Sequence, residues 1–463
     1  MRALFWCALL ALSTTGGSRA ALPPAAPPGT PAAALDLLSS ILGANASSLV
    51  TLTLAPGARC ATLTGGGGPS SPLVVTAPSA VDAIHALGQH LQATLNASFS
   101  WELTGGLQLT GLPARPAWLP AVPGGSLSVC RALPYSYYMN VVQASYSSVW
   151  WDEARWDKEL AWMALQGVNV ALAYGGQEAL WRQVFLGLGL SDAALGAYFG
   201  GPAYLAWSRG QGLQGVGGPL PPWWYGQQLA LNQRLVARMH QLGIVAVLPV
   251  FQGNVPPALH ALFPASNISI DGWLDVFDPL FARVQDAYMT LLLAAYPDTD
   301  HFYEADGLFS HASGPWLRGE EGGGAAGLGS ASDAQARALA AYTSFAKHDP
   351  AAVWVYQTWI WRGCVGGWGR AAQRRRLLLA KAPDTARHLT THTHTHTHTL
   401  PPTVPARAAA ASPRRRTRTT SLAFSLARRA DPGSFWTRLP SASPSGPSLA
   451  TFPLTATPLP GWP

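Results

Sequence analysis

Charge is the first thing this chain lacks. Asp, Glu, Lys and Arg make up 11% of its 463 residues, against about 25% in soluble domains at large, so part of the chain is not an ordinary domain. Cysteine is nearly absent too. Of four, Cys7 falls in the N-terminal leader, and Cys60, Cys130 and Cys364 are too few and too scattered for a disulfide framework or a zinc site. A buried thiol or one incidental bridge remains open. Long apolar runs are missing: the N-terminal Ala3–Leu12 is ten residues, too short to cross a hydrocarbon core of about 30 Å as a helix, and no other uninterrupted run suffices. Glutamate is absent after Glu321.

What is present is unevenly distributed. Residues 364–463 hold 14 of the 30 basic and 2 of the 23 acidic residues, a net +12, which leaves −5 on residues 1–363. The basic balance of the whole thus belongs to the tail. The N-terminus has the order of a secretory signal: Arg2, the apolar run, then Ser18-Arg19-Ala20 as a small-x-small cleavage site, with a signal peptide expected at 1–20. The sequons at Asn45, Asn96 and Asn267 fit that route as glycosylation sites.

Residues 22–125 read as a small α+β domain. Leu49–Leu54 and Leu73–Thr76 have strand character, Ser98–Leu103 and Leu107–Thr110 likewise. Ala80–Leu95 is an amphipathic helix with Ala83, Leu87, Leu91 and Leu95 at spacing four. Pro113, Pro116, Pro120 and Pro123 make a stiff linker. Residues 126–363 alternate apolar strands with longer helical patterns. The strands are predicted at 137–144, 168–174, 244–251, 301–306 and 351–359, the helices at 152–166, 227–242, 279–296 and 333–347. Such alternation implies a parallel sheet with right-handed crossovers. Residues 364–463 carry Arg triplets at 374–376 and 414–416, a Thr-His alternation over 391–399 and no steady periodicity; they are expected to be disordered. The fold class is α/β: a small N-terminal α+β domain, a partial (β/α)8 TIM-type barrel, then the tail.

In such barrels chemistry sits where the strands end. Here those ends are polar and aromatic: Asn140, Tyr146 and Trp151; Tyr174, Gln177 and Glu178; Phe251 and Gln252; Tyr303 and Asp306; Gln357 and Trp359. Aromatic rings suit the C–H faces of a pyranose, and a single ring at a strand end can equally finish the core. No metal or cofactor site is expected, nor a nucleic-acid partner for the Arg triplets in a secreted chain.

Three stretches carry a family likeness: Tyr137-Tyr138-Met139-Asn140 through Ser145-Tyr146-Ser147-Ser148-Val149-Trp150-Trp151-Asp152; Trp162-Met163-Ala164-Leu165-Gln166-Gly167-Val168-Asn169 through Gly176-Gln177-Glu178; and Gly201-Pro202-Ala203-Tyr204-Leu205-Ala206-Trp207 with Gly218-Pro219-Leu220-Pro221-Pro222-Trp223. They resemble the alpha-N-acetylglucosaminidase family, glycoside hydrolase family 89, whose human lysosomal member degrades heparan sulfate. The likeness is dense over 130–259 and fades by about 361. It implies a small N-terminal domain, a (β/α)8 barrel and an exo-acting hydrolase for terminal alpha-linked N-acetylglucosamine, secreted, lysosomal or vacuolar, with a glycan as partner. It further implies sugar contacts from Asn140, Tyr146, Trp207, Trp273, Tyr303 and Trp359, with Trp151, Gln177 and Glu178 supporting the pocket.

A retaining glycosidase needs two carboxyl groups about 5–5.5 Å apart. In the family's Tyr-x-x-Asp-x-Phe-Asn-Glu pattern the acid position falls on Ser310, with Tyr303 and Asp306 matching. A serine hydroxyl cannot give up its proton as a carboxylic acid does. Asp306 and Glu304 are the weak substitutes. The pattern departs after Trp361, ahead of the nucleophile's place, so the expectation is a truncated, inactive chain; the alternative is a non-catalytic relative that binds N-acetylglucosamine.

Overall fold

A computed structural model describes residues 27–43, 46–97, 116–206, 214–269, 272–305 and 331–357, and the strand at 387–391. All of them lie in one compact unit, Met1–Thr395; the second, His396–Pro463, is outside the described residues, as are the leader, the predicted strands at 98–103 and 107–110, and most of the Thr-His repeat.

The N-terminal domain is a four-stranded sheet covered by two helices. Its elements are α1 (Pro31–Leu42), β1 (Val50–Leu54), β2 (Cys60–Gly68), β3 (Ser71–Ala77), α2 (Ala80–Leu95) and β4 (Ser126–Cys130), with sheet order β1-β3-β2-β4. β1 and β3 are parallel, whereas β2 is antiparallel to both β3 and β4. α2 starts where the spacing predicts. The Ser79 hydroxyl accepts from Asp82 N at 3.2 Å, an N-cap that stabilises by about 1 kcal/mol. Its buried stripe of Ala83, Ile84, Leu87 and Leu91 faces the sheet, and each fully buried Leu or Ile contributes roughly 1.5–3 kcal/mol.

Two elements here differ from the sequence expectation. β2 was hidden by its four terminal glycines; the helix α1, with Thr30 as N-cap, Pro31 at its first position and alanines after it, carried a start signal that went unread. The domain boundary also moves. Ser126–Cys130 does not open the barrel; it pairs with β2, in register from Cys60↔Cys130 to Thr64↔Ser126. That register joins Cys60 to Cys130 in a disulfide, the single-bridge alternative.

The second domain is a six-stranded sheet, all parallel, in the order β10-β9-β8-β7-β6-β5. It runs through β5 (Tyr137–Tyr138), α3 (Glu153–Leu165), β6 (Val170–Leu172), α4 (Gln177–Gly187), α5 (Asp192–Tyr198), α6 (Pro222–Leu242), β7 (Val245–Pro249), the short α7 (Leu259–Leu262), α8 (Pro279–Ala295), β8 (Phe302–Glu304), α9 (Ala331–Ala346), β9 (Val353–Gln357) and β10 (Arg387–Thr391). This is the half-barrel of a TIM-type fold. The predicted strand at 137–144 is cut short. After Tyr138 the chain turns into a 3-10 segment, Val141–Ser145, because the Asn140 side chain caps it by accepting from Val142 N at 3.1 Å.

β10 falls inside the stretch expected to lack order, and corrects that reading for five residues. Its partner β9 would otherwise be an edge strand with unpaired backbone groups. An extended, threonine-bearing segment satisfies them whatever its wider composition.

Register assigns the two faces of the sheet. Val170, Val245 and Val247 with Phe302, Val353 and Val355 lie on one face, all buried. Tyr138, Ala171, Ala246, Leu248, Tyr303 and Trp354 lie on the other, against the helices. Gly176, with φ +74°, lets α4 begin against α6; a Cβ there would stand 2.6 Å from Leu229 Cα. The two domains are tied by Arg131, which donates to Asp82 Oδ1 and to the Gly167 carbonyl at 2.5 Å each. His85 Nδ1 adds a bond to Leu165 O at 2.7 Å. No helix among the described residues is long and apolar enough to cross a membrane.

Candidate functional site

The mouth of the half-barrel is built from the segments that leave β5, β6, β7 and β8. Asn140 caps the 3-10 turn and is exposed at its start. Tyr146 follows the turn and is 60% exposed. Between them Ser145 is buried, and its hydroxyl accepts from Ala206 N at 2.8 Å. That bond fixes the chain entering residue 207 against the residue next to Tyr146. Asn140 and Tyr146 therefore share one turn, and the backbone leading to Trp207 is docked on it. Trp207 itself, Trp359, Asp306 and Ser310 lie outside the described residues.

The other predicted residues divide clearly. Gln177 is buried at the start of α4. Its amide donates to Tyr174 O at 3.0 Å and its carbonyl accepts from Trp181 Nε1 at 3.1 Å, which clamps the end of β6 to the helix. Glu178 is buried one residue on, in the cavity that reaches from Asn140 down to Leu235 and Met239. Trp151 stands edge-on to Trp156, ring centres 5.0 Å apart, with the Arg155 guanidinium 3.9 Å over its ring. Arg155 also pairs with the buried Glu159 at 3.2 Å. Burial raises the Glu159 carboxyl above its usual range, against the pull of Arg155 and Tyr138.

Two expected sugar contacts are buried among protein side chains. Tyr303 is fully buried on the helix side of β8; its hydroxyl donates to Asp349 Oδ2 at 2.5 Å and its ring lies 5.9 Å from that of Phe345. Burial, and then the Asp349 carboxylate, push its phenol well above the tyrosine range. A strand residue one position off the mouth-facing series points to the opposite layer, and Tyr303 is such a residue. Trp273 is likewise 0% exposed. Its backbone bridges to Asn254 and accepts from Ser269 N at 2.7 Å, so it anchors the β7–α8 connection.

Glu304, the substitute acid, ends β8 on the face opposite Tyr303; it is 0% exposed and accepts from Gln252 Nε2 at 2.7 Å. Gln252 was noted at its strand end, but nothing in the sequence announced it as a partner of Glu304, because 52 residues separate them. Ser145 was missed for the same reason. Among the sequons, Asn96 is exposed at the C-cap of α2. Asn267 is exposed with its amide donating to Asp275 at 3.2 Å. Asn45 lies outside the described residues. Among the described residues no group of three or more His, Cys, Asp or Glu side chains is placed to hold a metal ion.

A parallel half-barrel of TIM type, preceded by a small α/β domain and with a polar and aromatic mouth, defines the class. The family described as alpha-N-acetylglucosaminidase (NAGLU) tim-barrel domain matches residues 136–388, and the chain belongs to that family. Human alpha-N-acetylglucosaminidase is 37% identical over 322 residues, which are 67% of this chain and 40% of the human protein; the chain thus spans well under half of that relative. A family 89 glycoside hydrolase from Clostridium perfringens superposes with a TM-score of 0.61 at 23% identity, over 72% of this chain and 37% of that one. The structure of a variant of the Clostridium perfringens enzyme with its substrate GlcNAc-alpha-1,4-galactose superposes with a TM-score of 0.60 at 24% identity, over the same shares. At such identities the likeness concerns the fold.

Proposed function

We propose that this chain recognises terminal alpha-linked N-acetylglucosamine on a glycan, as the sugar-binding part of an exo-acting alpha-N-acetylglucosaminidase. The observation that carries the proposal is the turn that gathers Asn140 and Tyr146 at the end of β5, with Ser145 holding the approach to residue 207. An exposed phenol ring supplies a face for the pyranose, and an amide supplies a directional hydrogen bond for its hydroxyl or acetamido groups. The reaction class is glycoside hydrolysis, which calls for an acid and a nucleophile on either side of the scissile bond.

A second reading, binding without hydrolysis, is supported by Ser310 at the family's acid position. Release of chromophore from an aryl alpha-N-acetylglucosaminide by the purified chain separates the two. Release above buffer that falls with Tyr146→Ala supports the enzyme. Binding of N-acetylglucosamine without release supports the second reading. Absence of both refutes the proposal. The Cys60–Cys130 bridge supports folding in an oxidising compartment, in keeping with a secretory route, and peptide mapping after glycosidase treatment would test glycosylation at Asn96.

A further inference from the structure

We infer that the cleft between the Val149–Glu153 turn and the first turns of α6 is a second carbohydrate site, apart from the barrel mouth, and that it takes an uncharged pyranose. Two indole rings stand out of it, Trp150 at 70% and Trp223 at 53% exposure. Both are held against the same buried ring, Trp224: Trp150 edge-on at 5.9 Å and 83°, Trp223 tilted at 5.7 Å and 53°. Single exposed aromatics on a surface need no explanation. Two fixed at set angles by a common buried keystone form rigid faces that lose little freedom when a ligand stacks on them.

The remainder of the lining is mixed: Asp152, Gln227 and Arg234 offer hydrogen-bonding groups beside apolar Val149, Ala230 and Leu231. The cleft encloses about 430 Å³, within the range of about 300–1,000 Å³ for small-molecule sites. Flat rings beside amides and carboxylates match the two aspects of a pyranose, C–H faces and a hydroxyl edge. An apolar protein segment fits less well, because it would strip water from Asp152 and from the Glu153–Arg234 pair.

Charge narrows the class. Arg234 donates to Glu153 at 2.7 Å, and Asp152 caps α3 by accepting from Arg155 N at 2.8 Å, so the lining sets two carboxylates against one guanidinium and is net negative. Sulfated sugars and uronates are repelled; neutral hexoses and N-acetylhexosamines are not. The cleft adjoins the cavity beside Asn140 through Val149, Trp224, Gln228 and Leu231, whereas Trp150 and Trp223 line the cleft and not that cavity, so mutation of these two rings addresses the cleft.

The test is calorimetric titration and saturation-transfer NMR of the full chain with N,N′-diacetylchitobiose, and with a heparin-derived disaccharide as the anionic comparison. The expected result is chitobiose binding that weakens about tenfold for each ring lost in Trp150→Ala and Trp223→Ala. It should be regained in Trp150→Tyr and be absent for the anionic disaccharide. Three results would overturn the inference: no chitobiose binding by the parent chain, binding indifferent to both tryptophans, or equal binding of the anionic sugar. Self-association lost in the double variant would assign the face to a second copy of the chain and overturn it too.

Discussion

Replacing Tyr303 with Phe distinguishes what the family pattern implies from what the fold imposes. The hydroxyl donates to Asp349 Oδ2 at 2.5 Å in a fully buried setting, and hydrogen bonds to charged groups contribute about 1.5–3 kcal/mol. Asp349 is not stranded by the change. It keeps His301 Nδ1 at 2.8 Å and Ala351 N at 3.1 Å, and Phe keeps the ring contact with Phe345. The loss therefore falls at the lower end, about 1.5 kcal/mol. At roughly 2–4 °C per kcal/mol for a domain of this size, Tm drops by about 3–6 °C in a circular dichroism melt. The pH dependence follows from the raised phenol. The folded state holds the proton while the unfolded chain releases it near pH 10, so this group's contribution is present below that pH and lost above it; Tyr303→Phe removes that alkaline loss. N-acetylglucosamine affinity stays at the parent value. An unchanged Tm together with lost sugar binding would refute the reasoning and return Tyr303 to the site.

Three further outcomes are expected. His240 donates from Nε2 to Asp300 at 2.8 Å, and this bond raises its pKa against the opposing effect of burial. Its stabilisation is then complete below about pH 6.5 and fades as pH rises through the folded value. Urea midpoints of the parent should fall more steeply than those of His240→Gln between acidic and mildly alkaline buffer. Arg155→Ala leaves the buried Glu159 with Tyr138 at 3.2 Å and costs about 1.5–3 kcal/mol by chemical denaturation; adding Glu159→Gln recovers part of it. Cys60→Ser opens a loop with a sequence separation of 70, which in the chain-entropy account costs about 4 kcal/mol, read as a lower denaturation midpoint that reductant no longer shifts.

Long periodic segments were legible. α2 spans the residues its spacing predicts, and α3, α6, α8 and α9 fall within a few residues of theirs, since a helix spaced by its own apolar stripe needs no distant partner to be recognised. The strands were placed but drawn too long: β6 and β8 are three residues each, because strand ends are set by where the neighbouring strand stops offering hydrogen bonds. β2 and β4 escaped notice, as Gly-rich and five-residue strands become strands only on meeting each other.

The site divides in the same way. Local motifs placed Asn140, Tyr146 and Gln177 at strand ends, where the structure has them, because their structural partners lie within a few positions. They did not foretell the burial of Tyr303, Trp273 and Glu304, because burial depends on residues tens of positions away, such as Asp349 and Gln252. Composition and periodicity are local properties, and they determined the alternation of strand and helix and the two-domain order; the family was carried by contiguous motifs. Which carboxylates are buried, which rings stand open and what β4 and β10 pair with are properties of packing in three dimensions, where free energy depends on contacts that one-dimensional order does not carry.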